Sequence, residues 1–374
     1  MKHVVFAHRK LSFGGGERVM VEAVAALAVL PEVKVTVLFR KDPDRQDLAQ
    51  ELRERNPHLG EILHIPGVIG SFLWLWRNQP DVLVVCNHKG VQRALRALAW
   101  FGRRIPTLVR VHEHYQRHLQ KYRGIRHLVD RWIIDWAFED SILRHLGPQP
   151  CIRIHPLYPR APRPLPEAEA RRAARRSLGL PETGLLVGYV GQIDRRKDPL
   201  AVTRLAAALS ESLKAPLDLV FAGRESPEAA AELEAAAAGL LARGVRLHRL
   251  GAQPDLDPVF TALDLYTLAS RNEGFFPLTL IEALEHGVPV VAPTVGGIGT
   301  VLQEGQGGFL LRRPDDRASV QDAPLRDVAA RVAPVLQDPA AWEDQRRKAH
   351  AFGTALTRNY DAAAKFRDAV AEWL

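Results

Sequence analysis

Short runs of aliphatic and β-branched residues alternate with longer helical patterns along the whole chain. This alternation is typical of parallel sheets covered by helices, so it predicts an α/β protein. In the first half, the predicted strands are residues 3–7, 33–39, 61–65, 81–86, 107–111 and 151–154. In the second half they are residues 185–190, 217–222, 245–250, 265–268, 288–292 and 308–311, which predicts a second sheet of similar size.

A proline-rich stretch divides the two halves. Residues 159–166 contain four prolines, and such a segment cannot continue a helix or a central strand. We therefore predict an N-terminal Rossmann-like domain over residues 1–160, a linker and first helix over 161–180, and a C-terminal Rossmann-like domain over 181–350, followed by a last helix over 351–374. The length of 374 residues suits two such domains.

Composition narrows the class of protein. A content of 47% hydrophobic and 25% charged residues is typical of a globular chain and argues against disorder. Two cysteines cannot form a disulfide framework or a four-cysteine zinc site. The N-terminus regains charge after a few apolar residues, so we expect neither a signal peptide nor a spanning helix, and a cytoplasmic location.

The charge is unevenly distributed. The net charge of +8 arises from residues 1–160, which hold 25 basic and 15 acidic side chains. These basic residues are dispersed and follow no helix-turn-helix, ribonucleoprotein or zinc pattern, so we do not expect a nucleic-acid partner. Residues 71–77 and a predicted helical region over 115–136 combine cations with aromatic side chains, which suits an anionic membrane surface. Buried tryptophans beside ordinary surface arginines are the alternative.

The first predicted strand is followed by a glycine-rich turn, Gly14-Gly15-Gly16-Glu17-Arg18. Glycines allow the backbone to approach a ligand closely, and a helix that starts beyond them can bind a phosphate. The turn does not have the GxGxxG dinucleotide pattern. A tight turn without a ligand is the alternative.

The second half offers two further candidate segments. Arg195, Arg196 and Lys197 follow a strand and precede a helix, where they can meet a diphosphate at the carboxyl edge of a sheet; a solvated charge run is the alternative. In the segment 270–290, Glu273 ends a strand, Pro277 opens a helix, and Glu282 lies further along it. The helix start can receive phosphate oxygens, and an acid on its facing side can accept hydrogen bonds from sugar hydroxyls, although a generic βαβ unit has the same pattern.

Taken in order, these segments resemble glycosyltransferase family 4. The resemblance rests on Gly-Gly-Gly-Glu-Arg-Val near the start, Ile105-Pro-Thr-Leu-Val-Arg-Val-His112, residues 191–197, and Glu-Gly-Phe, Glu-Ala-Leu and Gly-Val-Pro-Val-Val between 273 and 291. It implies the GT-B architecture, with two Rossmann-like domains whose parallel sheets face a central cleft. It also implies a retaining, metal-independent enzyme without a cofactor, a donor held mainly by the C-terminal domain, an acceptor held mainly by the N-terminal domain, and a last helix that crosses back.

The resemblance also implies roles for individual residues. Lys197 corresponds to the lysine on the diphosphate, Glu282 to the acid on the donor ribose, and Glu273 to the first acid of the pair. The remaining implied contacts are Gly15 and Gly16 in the glycine loop, His112 near the donor sugar, and Thr279 and Leu280 at the helix start. With Lys197, the implied catalytic residues are His112 and Glu273.

Two departures from the family pattern affect the site. Glu273 and Glu282 enclose eight residues where the family has seven, which predicts a bulge at Phe275-Phe276. Gln192 stands where the family has an arginine, so Arg195 or Arg196 is expected to supply that charge, unless Asp194 neutralises it. His112-Glu113-His114 looks like a metal pair, but residues i and i+2 of a strand end point in different directions, so we expect no metal site.

We therefore expect transfer of a hexose-type sugar from a UDP- or GDP-linked donor to a glycan or lipid-linked acceptor in envelope synthesis. Candidate acceptor contacts are His8, His88 and Arg18. The alternatives are a catalytically idle sugar-nucleotide-binding protein and another sugar-nucleotide enzyme, such as an epimerase or a disaccharide-phosphate synthase. The pattern does not distinguish the nucleotide, the sugar or the oligomeric state.

Overall fold

The computed structural model divides the chain into two compact units. One comprises Met1–Pro159 with Tyr360–Leu374, and the other comprises Arg160–Asn359. The structure describes residues 1–9, 11, 15–41, 47–56, 59–86, 88–111, 119–134, 139–154, 163–273, 276–313, 318–358 and 361–374.

The first unit contains a parallel sheet of seven strands in the order β3-β2-β1-β4-β5-β6-β7. The strands are β1 (Lys2–His8), β2 (Val33–Phe39), β3 (Leu59–His64), β4 (Val82–Cys86), β5 (Thr107–Arg110), β6 (Arg131–Ile134) and β7 (Cys151–Arg153). The helices are α1 (Gly15–Ala28), α2 (Asp47–Arg55), α3 (Val68–Asn78), α4 (Lys89–Trp100), α5 (Glu139–Leu146) and, at the C-terminus, α14 (Ala362–Val370).

The core of this unit lies between the sheet and helices α1, α2 and α14. Val4 and Phe6 of β1, Val84 of β4 and Phe366 of α14 belong to one buried apolar cluster, in which the rings of Phe6 and Phe366 stack with centroids 5.6 Å apart. Every residue of β4 is buried, which explains why this strand is a continuous apolar run.

One sequence-based expectation for this unit is wrong. The helical region predicted over 115–136 contains strand β6, which pairs in parallel with both β5 and β7. Trp132 of β6 is fully buried, and its indole N–H donates to the side-chain oxygen of Gln149 at 3.1 Å. The aromatic residue that suggested a surface at this point is therefore part of the interior.

The second unit contains a parallel sheet of six strands in the order β10-β9-β8-β11-β12-β13. The strands are β8 (Leu186–Val190), β9 (Leu217–Ala222), β10 (Val245–Gly251), β11 (Leu265–Thr267), β12 (Val290–Pro293) and β13 (Gly308–Leu311). The helices are α6 (Ala168–Ser177), α7 (Pro199–Leu213), α8 (Pro227–Ala242), α9 (Asp257–Ala262), α10 (Leu278–Glu285), α11 (Ile298–Val301), α12 (Asp322–Gln337) and α13 (Pro339–Arg358).

The α8 helix has capping residues at both ends. The Ser226 side chain accepts a hydrogen bond from Ala229 N at 3.2 Å, and Pro227 occupies the first helical position. The chain leaves the helix through Gly244, which has φ +76°. The predicted α/β class is confirmed, with one parallel sheet in each unit.

Candidate functional site

The carboxyl edge of the second sheet brings most of the predicted donor residues together. The strand order reverses between β8 and β11, and open α/β sheets bind ligands beyond the carboxyl ends of strands at such a switch point. The loop 191–198 follows β8, and the segment 268–277 follows β11. Arg271 N donates to Arg196 O at 2.9 Å and so joins the two segments directly.

Glycine is required where the loops after β8 and β9 meet. Gly191 and Gly223 have φ values of +140° and +153°. A Cβ atom on Gly223 would lie 1.8 Å from the carbonyl oxygen of Gly191, so no other residue fits at 223 without moving the backbone. This close approach fixes the start of the loop that carries Lys197.

Lys197 and Glu273 form an ion pair at the centre of this edge. The Nζ atom of Lys197 contacts Oε1 of Glu273, and Arg196 NH1 lies 3.9 Å from Oε2 of the same carboxylate. The side chains of Lys197 and Glu273 are only 14% and 8% exposed, whereas that of Arg196 is 45% exposed. A cationic group and an acid, both largely removed from water, thus lie side by side at the switch point.

The Lys197 loop is held by hydrogen bonds to its own backbone. Tyr189 OH donates to Gln192 O at 2.8 Å, and Lys197 N donates to Oδ1 of Asp194 at 3.0 Å. Burial, reinforced by the hydroxyl of Tyr266 and the carboxylate of Glu273, raises the pKa of the Tyr189 phenol well above its ordinary value. Tyr189 is therefore a neutral donor, and its hydrogen bond holds the start of the loop in place.

The second anchoring tyrosine reaches the start of α10. The buried hydroxyl of Tyr266 lies 2.9 Å from Oγ1 of Thr279 and 3.2 Å from the carbonyl oxygen of Val190. It therefore connects the end of β8 to the first turn of α10. Leu280 N donates to Pro277 O at 3.0 Å, so this amide is already used inside the helix.

Glu282 lies one turn beyond Leu278 on α10 and is half-buried. Its carbonyl oxygen accepts hydrogen bonds from the backbone N and Nδ1 of His286, the latter at 2.7 Å. Burial lowers the pKa of His286, which favours a neutral ring that secures the next turn of the helix. Glu282 is thus presented on a well-anchored helix, where its carboxylate can accept hydrogen bonds from a diol.

The structure separates the three consecutive cations. Lys197 and Arg196 face Glu273, but Arg195 lines a cavity of about 830 Å³ together with Asp198, Arg204 and Arg271. Of the two arginines expected to replace the missing family arginine, Arg196 is therefore the one placed at Glu273. Asp194 caps the loop through Lys197 N and forms no ion pair with either arginine in the described part of the chain.

The candidates of the first unit lie at the carboxyl edge of its own sheet. His8 ends β1 and is buried, and His88 is the buried N-cap of α4. Gly15 and Gly16 are the first residues of α1. The side chain of Arg18, the whole of His112 and the bulge predicted near Phe275 fall on residues that lie outside the described part of the structure.

Tyr189 and Tyr266, which hold the site together, are not among the site residues expected from the sequence. The sequence feature that could have identified them is a tyrosine inside an otherwise apolar strand, because a buried phenol needs a hydrogen-bond partner. Within the described ranges, no group of three or more His, Cys, Asp or Glu residues is arranged to hold a metal ion.

The second unit matches a known family. Residues 170–323 match the family model described as glycosyl transferases group 1. The D-inositol 3-phosphate glycosyltransferase of Stackebrandtia nassauensis is 38% identical over 183 residues, which cover 45% of this chain and 40% of that protein. The D-inositol 3-phosphate glycosyltransferase 1 of Catenulispora acidiphila is 31% identical over 255 residues, or 64% and 58% of the two chains. The chain therefore spans less than two thirds of either relative.

Solved structures match over the whole length. Anabaena Alr3699/HepE in complex with UDP and glucose has a TM-score of 0.75 and 17% identity, with 100% of this chain and 99% of that chain covered. The lipopolysaccharide outer core galactosyltransferase WaaB, in its apo form, has a TM-score of 0.69 and 16% identity, with both chains fully covered. At these identities the likeness concerns the fold, and it confirms the predicted GT-B class.

Proposed function

We propose that this chain, whose residues 170–323 match the family model described as glycosyl transferases group 1, transfers a hexose-type sugar from a UDP- or GDP-linked donor to a glycan or lipid-linked acceptor. The observation that carries the proposal is the Lys197–Glu273 pair at the switch point of the second sheet, beside the start of α10 and Glu282. The relatives named as glycosyltransferases and the UDP in the HepE structure support it.

The chemistry of the donor suits this arrangement. Breaking the bond between a sugar and a nucleoside diphosphate leaves negative charge on the diphosphate, and preorganised cations and N–H donors stabilise that charge. Lys197 and Arg196 supply the cations, and the first turn of α10 supplies the positive end of a helix. Because Lys197 is held by Glu273, a diphosphate must share or displace that carboxylate when it binds.

We further propose that transfer proceeds with retention at the anomeric carbon and without a metal ion. The cations beside Glu273 take the place that a divalent ion would have at the diphosphate. His112 and Glu273 are the proposed groups near the donor sugar, with Glu282 on the ribose. NMR of the first-formed product tests the stereochemistry, and an inverted anomer would refute retention. Treatment with EDTA tests metal independence. If EDTA abolished activity and added Mg²⁺ restored it, metal independence would be refuted.

A nucleotide panel tests the donor assignment. A ligand that binds only the folded state raises the midpoint of thermal unfolding with its occupancy. We expect UDP or GDP, and a matching sugar nucleotide, to raise the midpoint, and the nucleoside monophosphate to do so less, because Lys197 contacts the diphosphate. Equal shifts with monophosphate and diphosphate, or no shift with any member of the panel, would contradict the proposed site.

We also propose that the first unit rests on an anionic membrane on the cytoplasmic side, where envelope glycans are extended. None of the described helices is both long and apolar enough to span a bilayer. However, α3 and α4 expose four large apolar side chains: Ile69 at 76%, Leu73 at 58%, Trp100 at 90% and Phe101, just after α4, at 64%. We call these four residues the apolar patch.

The surroundings of the apolar patch are basic. Neither α3 nor α4 contains an acidic residue, whereas α4 carries Lys89, Arg93 and Arg96. Trp76 is half-buried and packs against Phe101 of the patch, with ring centroids 5.6 Å apart, while the guanidinium of Arg103 lies 3.8 Å from the centroid of the Trp76 ring. Apolar side chains surrounded by cations suit the headgroup region of an anionic bilayer.

Vesicle sedimentation tests the membrane proposal. Vesicles with an anionic phospholipid should bind the protein at low salt, and the double substitution Trp100→Ser with Phe101→Ser should weaken this binding several-fold. Leu241→Ser, which removes an exposed apolar side chain from the second unit, is the matched control. Binding that is independent of lipid charge, or unchanged in the double variant, would refute the proposal.

A further inference from the structure

Asp198, the residue after Lys197, has an unusual backbone conformation. It directly precedes α7 and has φ +55° and ψ +58°, a left-handed region that residues other than glycine seldom adopt. Its side chain makes no capping hydrogen bond to α7, although an aspartate at this position usually caps its helix. The carboxylate of Asp198 is therefore not explained by the helix that it precedes.

The carboxylate of Asp198 is buried between two other segments of the second unit. The residue is only 2% exposed. Its Oδ1 atom accepts a hydrogen bond from Oγ of Ser319 at 3.0 Å, and its Oδ2 atom lies 3.5 Å from Nε of Arg271. Within the described residues, neither Oδ2 nor this Nε forms a hydrogen bond, so each depends on the opposite charge. Because an unpaired buried charge is costly, Asp198 and Arg271 hold each other in place.

Ser319 is itself fixed from another side. Its Oγ atom accepts a hydrogen bond from NH2 of Arg204 at 2.9 Å, and the same NH2 donates to Val320 O at 2.6 Å. Arg204 lies on α7, so the segment that carries Ser319 is tied to the helix that Asp198 precedes. The carboxylate of Asp198 thus meets a donor whose position is already determined.

Asp198 and Arg271 lie next to the Lys197–Glu273 pair in the sequence. Asp198 directly follows Lys197, and Arg271 lies two residues before Glu273. The Asp198–Arg271 pair and the hydrogen bond from Arg271 N to Arg196 O both join the Lys197 loop to the segment that carries Glu273. Neither contact uses the side chain of Lys197 or Glu273. Both contacts can therefore persist when a ligand takes Lys197 away from Glu273.

We propose that Asp198 and Arg271 are positioning residues, which hold Lys197 where it binds the diphosphate of the donor. Neither side chain has to contact the donor for this role. A binding group acts well only when the residues around it fix its geometry, so loss of either partner should weaken both the Lys197–Glu273 pair and the diphosphate contact. The diphosphate contact rests on the proposed function, whereas the effect on the Lys197–Glu273 pair rests on the geometry of the second unit alone.

Calorimetric titration of the full chain with UDP and GDP tests this role by the sign of two effects. Asp198→Asn keeps an acceptor for Ser319 and removes a negative charge, whereas Arg271→Met removes a positive charge. If these residues acted on the diphosphate by charge alone, Asp198→Asn would bind it more tightly and Arg271→Met less tightly. Positioning predicts that both variants raise the Kd, by about three- to tenfold, which is part of the effect of losing the Lys197 cation itself.

The matched control is Lys214→Gly. Lys214 is exposed, follows the last residue of α7 and has φ +52°, so it shares the backbone conformation of Asp198 at the opposite end of the same helix. This variant should bind UDP or GDP as the wild type does. Tighter binding by Asp198→Asn, or a wild-type Kd in either Asp198→Asn or Arg271→Met, overturns the proposal.

A double variant shows whether Asp198 acts through Lys197. In the Lys197→Met background, Asp198→Asn should not raise the Kd further, because the cation that it positions is absent. A loss of affinity of the same size in both backgrounds would mean that Asp198 acts on the ligand independently, and the proposal would be wrong. If Asp198→Asn does not fold, Asp198→Gly replaces it in every comparison, because glycine adopts the left-handed conformation without strain.

Urea denaturation without nucleotide distinguishes this proposal from the proposed function. Positioning predicts a weaker Lys197–Glu273 pair in Asp198→Asn, so Glu273→Gln should lower the urea midpoint less in that background than in the wild type. Equal effects of Glu273→Gln in both backgrounds would overturn the positioning role.

The two failures look different. If the wild type binds neither UDP nor GDP but the effects on the urea midpoint are non-additive, the proposed donor fails and the positioning of the Lys197–Glu273 pair remains. If UDP or GDP binds and Lys197→Met weakens that binding, but Asp198→Asn and Arg271→Met do not, the donor assignment stands and the positioning role is wrong.

Discussion

The Lys197–Glu273 pair allows stability and ligand binding to be separated by a double-mutant cycle. Lys197→Met removes the cation and leaves the carboxylate of Glu273, 8% exposed, with only Arg196 at 3.9 Å as a charged neighbour. Breaking a fully buried pair costs about 3–5 kcal/mol, and the partial exposure of Lys197 together with the help of Arg196 reduces this to about 2 kcal/mol. Urea denaturation measures that loss.

The same substitution should weaken diphosphate binding for a different reason. A hydrogen bond to a charged group is worth about 1.5–3 kcal/mol, which corresponds to an increase of about 10- to 100-fold in the Kd for UDP or GDP. Glu273→Gln, by contrast, frees Lys197 from a competing carboxylate, so we expect diphosphate to bind as tightly as in the wild type or more tightly. Isothermal titration calorimetry measures both constants.

The double variant Lys197→Met with Glu273→Gln decides between the two effects. It removes both charges, so it should recover most of the lost stability, because no unpaired charge remains buried. It should not recover diphosphate binding. Recovery of both properties in the double variant, or wild-type diphosphate binding in Lys197→Met alone, would refute the assignment of Lys197 to the diphosphate.

Three further predictions concern the buried polar groups. Tyr266→Phe should lower the free energy of unfolding by about 1–2 kcal/mol, because Val190 O and Thr279 lose a buried partner. The same substitution should weaken diphosphate binding. Unchanged denaturation and unchanged binding would refute the anchoring role of Tyr266. Arg175→Met should cost about 2 kcal/mol, because the buried carboxylate of Asp264 keeps Arg171 but loses the donor Arg175 NH2 at 2.7 Å, and the carbonyl oxygen of Ala262 loses a donor at 2.9 Å. Diphosphate affinity should stay unchanged; a large loss of affinity without a loss of stability would contradict this structural role. Burial lowers the pKa of His88 to about 4, which predicts that the free energy of unfolding falls on acidification. The unfolded chain takes up a proton near pH 6.5 and the folded chain does not, so about 2 kcal/mol is lost between pH 6.5 and pH 5. A His88→Asn variant that loses as much stability over this range would refute the explanation.

The fold could largely be predicted because its strands are covered on both faces. A strand such as β4, with every residue buried, is a short apolar run that needs no knowledge of its neighbours. Strand β6 was missed because Arg131 and Trp132 suggest a basic, aromatic surface, and only the pairing with β5 and β7 shows that the indole of Trp132 is interior. Periodicity does not contain that long-range information.

The site could be predicted in part. Lys197, Arg196, Glu273 and the start of α10 come together because the carboxyl ends of parallel strands share one edge. The sequence could not show that Arg195 lines the cavity beside Arg204 and Arg271 and does not face Glu273, since three adjacent cations look equivalent in a linear pattern. Nor could it show that Asp198 leaves its own helix uncapped, because the partner of a polar group depends on what lies opposite in space.

The most direct test of the central claim is release of nucleoside diphosphate from a panel of UDP- and GDP-linked sugars. The wild type should release it from at least one donor. Glu282→Ala should slow the release about 100-fold or more, because two hydrogen bonds to a charged acceptor are lost. Glu211→Ala is the matched control: Glu211 lies in the last turn of α7, where its exposed carboxylate pairs with Arg243. Wild-type release rates in Glu282→Ala, or no release from any donor in the panel, would contradict the account.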